Sequence, residues 1–530
     1  VAKLKFRPTE EQEQIFQASR EGYTMVVNSV AGSGKTSSVE ADATLNPRHS
    51  LYLVYNAANR KEAQNRMPRH VKPMTGHSLA FRPMIANNDD LRRKFEAARN
   101  GSRITPWDIA SAINVRGAHG MDATQMSGHI LRTVSGFQNS ADREIHSRHV
   151  DPSSLPARFL LPEKQRELTS LKHHLVTEAH KLWVKMTDPK DDFGLLHDTY
   201  LKMYSLENPK LNYDLIYCDE FQDANPVLAD IVRQQDHAQK IYIGDRYQAI
   251  YGWRGAKDAL GEALKDGAEL LHLSRSFRFG KHVAGMANII LEHLGANSNV
   301  IGAGPQMRAF DKSQATAIIG RNNMTLFEHA VEAIEAKVPF TIVGGSRDMV
   351  NLIESGYALY IGDNYGIKDT DLKRYDSWDE FKEISDIMQD AVSKRLISFI
   401  ERYKAKSLTY IDDLLKSDKV PEDAAQRVLT SAHKSKGREF NQTLLCEDLA
   451  LDEKLTDISS LNPAELTTAQ QEQFHLLYVA ITRCQEAMQF APEVKKTMRV
   501  MLEANRSNRE DQAQATFSDQ VQGAVATPGV

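Results

Sequence analysis

The stretch SVAGSGKT, Ser29 to Thr36, decides how the rest of the chain is read. It follows an apolar run, YTMVV (Tyr23 to Val27), suited to a buried strand, and it leads into sequence able to start a helix. In such a strand, loop and helix unit, Gly32 and Gly34 let the backbone around Ser33 curl so that its N–H groups face an anion at the helix N-terminus. Lys35 then reaches the β- and γ-phosphates of a nucleotide, and the Thr36 hydroxyl ligates Mg²⁺. Ser29 stands where the general G-x4-G-K-[ST] pattern has its first glycine, which changes the pattern but removes none of these groups.

The other half of a nucleotide site lies far along the chain, in IYCDEFQD (Ile216 to Asp223). LIYC (Leu215 to Cys218) is a short apolar strand, and the pair Asp219 and Glu220 falls at its carboxyl end, the edge where open parallel sheets bind ligands. Asp219 is the expected Mg²⁺ anchor, and Glu220 the group that polarises an attacking water. An acidic cluster after a strand is usually a solvated loop; together with the phosphate loop it reads as half of an ATP site.

Composition bounds the setting. A chain of 530 residues exceeds what one core holds and should form several modules. With 41% hydrophobic and 26% charged residues it has an ordinary globular composition, and no stretch approaches the ~18 apolar residues of a membrane span. The N-terminus VAKLKFRPTEEQ lacks a signal-peptide apolar core, and Cys218, Cys446 and Cys484 sit in or beside apolar runs without metal-ligand spacing. These features predict an intracellular protein with buried thiols: cytoplasm or nucleoid in a bacterial or phage-infected cell, nucleus in a eukaryote. A net charge of −4 argues against blanket affinity for nucleic acid. It leaves room for a local basic groove, and Arg60, Lys61, Arg66, Arg69 and Lys72 against the single acid Glu62 form either a solvated helix face or such a groove.

Two sets of β-rich runs separate along the chain: Tyr23 to Val27, Leu51 to Tyr55, Leu215 to Cys218 and Ile241 to Ile243, then Ala315 to Ile319, Phe340 to Val343, Arg427 to Thr430 and Thr443 to Cys446. Helical or loop-rich sequence between the runs predicts an α/β fold with two parallel-sheet cores. We assign 1–80 and 200–268 to the first core, 81–199 to a helical insertion, 269–344 and 426–500 to the second core, 345–425 to a small helical insertion and 507–530 to a disordered tail. The first insertion holds eight histidines, including His173, His174 and His180, without cysteine partners or ligand spacing; solvated helix histidines are expected.

After KIYIG comes GDRYQAIYGWRGA (Gly244 to Ala256), which interleaves Tyr251 and Trp253 with Arg254 as stacking planes beside a cation. Then follow LSRSFRFG (Leu273 to Gly280), TSAHKSKGREF (Thr430 to Phe440) and LLYVAITRC (Leu476 to Cys484). In order, these blocks resemble the superfamily 1 helicases of the UvrD, Rep and PcrA type, and among them the F-box DNA helicase group, here with no F-box segment read ahead of the motor. The resemblance spans Thr9 to Arg483.

The resemblance implies two RecA-like motor domains with ATP and Mg²⁺ held between them. It makes Gln12 the adenine-reading glutamine, and Lys35, Thr36, Asp219 and Glu220 the phosphate and metal groups. Gln248 becomes the γ-phosphate sensor, and Tyr251, Trp253 and Arg254 face single-stranded DNA. Phe277 lies against adenine with Arg278 as an arginine finger, although the usual NYR reads SFR, with Ser276 for asparagine. Ser431 and His433 are assigned to DNA, Gly437 and Glu439 to nucleotide, and Arg483 to a second finger. Tyr55 in VYNAA and His77 in TGHS join the DNA track. The implied activity is that of an ATP-dependent DNA helicase and single-stranded DNA translocase. The expected polarity is 3′ to 5′, since the segment TSAHKSKGREF carries Lys436-Gly437 where the opposite group shows a glutamine-glycine pair. Implied partners are single-stranded DNA, single-strand/duplex junctions and replication or repair proteins; no membrane is implied, and a monomer is compatible with the reading. Two alternatives remain: a DNA-stimulated ATPase that remodels nucleoprotein with little unwinding, and an ATP-switched DNA-binding module.

Overall fold

The computed structural model describes residues 4–54, 56–101, 103–250, 258–296, 298–369, 371–387, 390–451, 455 and 465–507. They form two compact units. The first takes in the described residues of Val1–Ser29, Lys35–Leu273 and Thr370–Ile384; the second takes in those of Val30–Gly34, Ser274–Asp369 and Ser385–Val530.

In the first unit, β1 (Met25–Ser29), β2 (Ser50–Leu53), β3 (Val71–Met74), β4 (Leu215–Cys218), β5 (Gln239–Gly244) and β6 (Glu269–Leu273) make one sheet in the order β3-β2-β4-β5-β1-β6. Every pairing is parallel. β2 and β4 are buried at every residue, because helices cover both faces. Alternate residues point to opposite cores: Val26, Leu51, Leu53 and Ile216 to one, Met25, Val27, Tyr52 and Tyr217 to the other. The second of these cores includes Ile15, Phe16 and Val39, from the helices Glu10–Glu21 and Lys35–Leu45. β6 differs from the sequence reading, which opened the second core at 269. The structure pairs it with β1 from Met25↔Glu269 to Ser29↔Leu273, as an edge strand with Glu269 and Leu270 exposed.

The first insertion is helical; the pairing Ala118↔Met121 is an isolated bridge. Its inner parts belong to the sheet, since Ile85, Leu91, Phe95 and Leu195 share a core with β1, β2 and β4. A separate core gathers Ile109, Met126, Ile130, Val134, Leu171, Leu175 and Leu182. On the helix Gln165–Thr187 the buried positions Leu168, Leu171, Leu175, Ala179, Leu182 and Met186 recur every three or four residues, the spacing of one helix face. His173 and His180 are exposed as expected, but His129 and His149 are buried. His149 bonds Asp142 at 2.8 Å, and burial lowers His129 to about 4, so it packs as a neutral ring.

In the second unit β7 (Arg275–Ser276) and β8 (Ile301–Gly302) pair as a two-stranded ribbon. β9 (Thr316–Gly320), β10 (Phe340–Ile342), β11 (Arg427–Ser431), β12 (Phe440–Leu445) and β13 (Cys484–Phe490) form a parallel sheet in the order β10-β11-β9-β12-β13. β13 was not among the strands read from sequence. Its burial is mixed along its length, as befits a sheet edge, so it offers no apolar run. The second insertion contributes helices Arg347–Ile361, Trp378–Ile387, Ala391–Tyr403 and Ile411–Ser417. The described part of Thr370–Ile384 groups with the first unit instead, where Asp376 meets Arg158 at 2.8 Å. Cys218, Cys446 and Cys484 are free and buried, as expected of inert thiols. The expected tail lies outside the described residues but for Ser507.

Candidate active site

Three parallel strands of the first unit deliver the site at their carboxyl ends. β1 runs into the phosphate loop, β4 into Asp219 and Glu220, and β5 into Asp245 and Gln248. Gly32 and Gly34 adopt φ of +72° and +80°, the left-handed region that favours glycine, so the loop curls where the sequence predicted it. The Ser33 hydroxyl is buried and has no hydrogen-bond partner among the described residues. A polar atom so placed fits an oxyanion ligand such as a polyphosphate.

Lys35 Nζ lies 3.0 Å from Glu220 Oε1, with both side chains mostly shielded. Burial works against the ammonium, but the charges of Glu220, Asp245 and Asp219 outweigh it and raise Lys35 above its ordinary range. Asp219 is pushed upward by burial and then by Glu220; Tyr52 and Lys35 hold part of that rise back. The Tyr52 phenol donates to Asp219 Oδ2 at 2.6 Å, and the backbone N–H of Glu220 donates to Asp219 Oδ1 at 3.0 Å. Thr36 and Asp219 are hard oxygen donors of the kind that Mg²⁺ takes through one or two protein ligands plus water and phosphate.

Glu220 itself sits at φ +50°, ψ +40°, a strained conformation for a residue with a Cβ. Its carboxylate accepts from Gln222 Nε2 at 2.6 Å. Gln222 reaches that position because residue 244 is glycine: a Cβ there would lie 2.0 Å from Gln222 Oε1. Gln248 donates to Asp245 Oδ2 at 2.6 Å, and both are buried, so the expected sensor amide is held by a carboxylate the sequence reading did not single out. Gln12 is buried too. Its amide accepts from Thr9 N at 2.9 Å and donates to Ser38 Oγ at 2.9 Å, closing a capping box on the first helix, which gives it a structural role beside the adenine-reading one expected.

Within the second unit the phosphate-loop residues neighbour SFR. Phe277 N–H donates to Gly32 O at 2.9 Å, and a Cβ on Gly32 would meet Arg278 Cβ at 2.5 Å, so this approach also requires glycine. Ser276, in place of the family's asparagine, is buried, and its Oγ accepts from Arg278 N at 3.3 Å. Phe277 is 52% exposed, as a ring free to stack must be. Arg278 is held by Glu439 at 2.7 Å and by the Thr482 carbonyl at 3.3 Å. Arg483 is 1% exposed and donates to the Val479 carbonyl at 3.0 Å and the Thr482 hydroxyl at 3.0 Å. The guanidinium expected as a second finger is thus folded against its own helix end. Gly437 has φ +81°. Ser431 caps the helix Ala432–Ser435, accepting from Lys434 N, and His433 lies 3.4 Å from Glu472.

On the nucleic-acid side, Tyr55, Tyr251, Trp253 and Arg254 lie outside the described residues. His77 is partly exposed, and its Nε2 lies 2.9 Å from Asp198 Oδ1. A cavity of about 500 Å³ in the first unit runs from His77 and Thr75 past Asn139, Asp198 and Asn225 to Asp219 and Glu220. Asn225 Nδ2 donates to Asn139 Oδ1 at 3.2 Å. Asn139 and Asp198 did not stand out in the sequence, since they come from the helical insertion. In the basic run, Arg66 is paired with Glu40 at 3.1 Å and Glu62 at 3.2 Å, which favours the solvated-face reading for that residue. One mixed cluster, His329, Cys446 and Glu447, could draw a metal assignment. Arg395 already neutralises Glu447 at 2.8 Å, and burial keeps the Cys446 thiol protonated, so the cluster reads as structural.

Comparison with known proteins adds to this geometry. Residues 9–266 match the UvrD/REP helicase N-terminal domain. The chain is 28% identical over 516 residues to F-box DNA helicase protein 1 of Schizosaccharomyces pombe, covering 91% of this chain and 57% of that protein. It is 27% identical over 519 residues to F-box DNA helicase 1 of Gallus gallus, covering 91% and 48%. DNA helicase II of Escherichia coli aligns at 29% identity over 124 residues, 22% of this chain and 15% of that one. The chain thus spans about half the length of the F-box relatives it matches. Among the described residues no helix is long and apolar enough to cross a membrane.

Proposed function

We propose that this chain, a homologue of the superfamily 1 UvrD-like helicases whose residues 9–266 match their N-terminal domain, is an ATP-dependent DNA helicase and single-stranded DNA translocase. The observation that carries the reading is the convergence, at one sheet edge, of Lys35, Asp219, Glu220, Asp245 and Gln248 beside a loop turned by two positive-φ glycines. Such a constellation suits phosphoryl transfer from ATP, the substrate, with Thr36 and Asp219 holding Mg²⁺. When bound, the metal neutralises charge on the phosphates.

The chain's own groups do the rest. Lys35 stabilises negative charge building on the β- and γ-phosphate oxygens. Glu220, held at its strained backbone angle and steadied by Gln222, orients the attacking water and takes its proton. Gln248, fixed by Asp245, reads the γ-phosphate. Arg278 and Arg483 act as cations on the transferring phosphoryl group; for Arg483 this requires that it leave the carbonyls that now hold it. Gln12 and Phe277 are proposed on the adenine side, and Gly437 and Glu439 beside the nucleotide. His77, Ser431 and His433, with Tyr55, Tyr251, Trp253 and Arg254, are proposed for a single DNA strand. Stacking on aromatic rings contributes ~1–3 kcal/mol per base with little sequence preference, which suits a motor that crosses any sequence. The proposed polarity is 3′ to 5′.

Steady-state ATP hydrolysis with and without single-stranded DNA tests the reading. Turnover that rises with DNA supports a motor. Nucleotide binding without turnover in either condition would leave only the switched binding module.

A further inference from the structure

Tyr52 belongs to β2 and is none of the residue types expected of a nucleotide site, yet its phenol bonds one of that site's carboxylates. It donates to Asp219 Oδ2 at 2.6 Å. The residue is 1% exposed, so no solvent competes for the phenol. The placement follows from register. Tyr52 pairs with Tyr217 on β4, two residues before Asp219, and the two rings meet edge to face at 6.4 Å. The Asp219 N–H donates to the Leu53 carbonyl at 2.9 Å, which fixes the backbone between the two side chains.

The bond matches what a metal ligand needs. A carboxylate that gives one oxygen to a cation or its water leaves the other to be satisfied by a donor. The Tyr52 phenol is that donor to Asp219.

We infer that Tyr52 is a positioning residue for the divalent-metal site, holding the Asp219 carboxylate in the orientation that receives the ion. This rests on the proposed ATPase reading. Partners one step removed from metal ligands are worth ~10- to 100-fold in metal affinity or activity. Tyr52→Phe keeps the buried ring and removes only the hydroxyl. Its metal affinity is read without turnover, by electron paramagnetic resonance titration of Mn²⁺ into the full chain with ADP present. The apparent dissociation constant should rise ~10- to 100-fold. In parallel, the Mg²⁺ concentration for half-maximal ATPase should rise by a similar factor while the rate at saturating Mg²⁺ largely recovers.

Parent-like Mn²⁺ affinity would overturn the inference. A uniform fall in rate with unchanged metal dependence would also overturn it, since that is what a packing role alone produces. If the parent chain neither binds Mn²⁺ with ADP nor hydrolyses ATP, the ATPase reading itself fails, a result distinct from either.

Discussion

Glu220→Gln separates the chemistry of the site from its architecture. The substitution keeps shape: glutamine occupies the same φ of +50° at the same cost, and its amide oxygen can still accept from Gln222 Nε2. What changes is charge. The base that would take a proton from water is lost, a contribution of ~10²- to 10⁴-fold in rate, or ~3–5 kcal/mol in the barrier. Lys35 loses the partner at 3.0 Å that does most to raise it, and Asp219 loses the charge that, after burial, does most to push its carboxyl up. Nucleotide and metal should therefore still bind, with the acid limit of metal binding shifted to lower pH. Single-turnover hydrolysis with enzyme in excess measures the chemical step, and equilibrium binding of a fluorescent nucleotide measures the architecture. Hydrolysis at the parent rate would show that another group orients the water, and a parallel collapse of nucleotide binding would show that Glu220 mainly holds Lys35 in place.

Lys35→Ala should abolish ATP hydrolysis while leaving oligonucleotide affinity, read by fluorescence anisotropy, unchanged; DNA-stimulated turnover in this variant would count against the phosphate-loop assignment. Asp219→Asn should lose metal-dependent turnover yet raise the melting temperature at neutral pH without metal. The folded carboxyl titrates above its ordinary range, so its ionised form costs stability once pH exceeds that raised value, and ~1 kcal/mol recovered corresponds to ~2–4 °C; a lower melting temperature would contradict this sign. Arg278→Ala should slow turnover by ~10³-fold or more with the fold intact. Arg483→Ala should slow turnover and also lower the melting temperature, because its buried fork leaves the Val479 carbonyl without that donor; a rate loss with no thermal shift would show that the folded-back arrangement contributes nothing.

The phosphate loop and the acidic pair were legible in the sequence because each is a local signal, a strand followed at once by the groups that do the work. β6 and β13 were not, because edge strands are buried on fewer sides and their sequences alternate or mix where central strands run apolar. Tyr52 was invisible for a different reason. Its meaning comes from a bond to Asp219, 167 positions away in sequence and on the neighbouring strand's end, and in the run LYLV it reads as one more buried aromatic. Asp245 had a signal that could have been used, a carboxylate directly after the strand KIYIG at the same sheet edge as Asp219. The folded-back state of Arg483 could not be read at all, since a motif names a residue type and not its rotamer.

Strand displacement on duplexes bearing a 3′ tail, a 5′ tail or no tail tests the central claim most directly. The account predicts ATP-dependent displacement from the 3′-tailed substrate, none from the blunt one, and loss of activity in Lys35→Ala. Displacement only from the 5′-tailed duplex would reverse the polarity and leave the ATPase standing. Absence of ATP-dependent displacement from every substrate, with DNA-stimulated hydrolysis intact, would contradict the helicase and leave a translocating ATPase in its place.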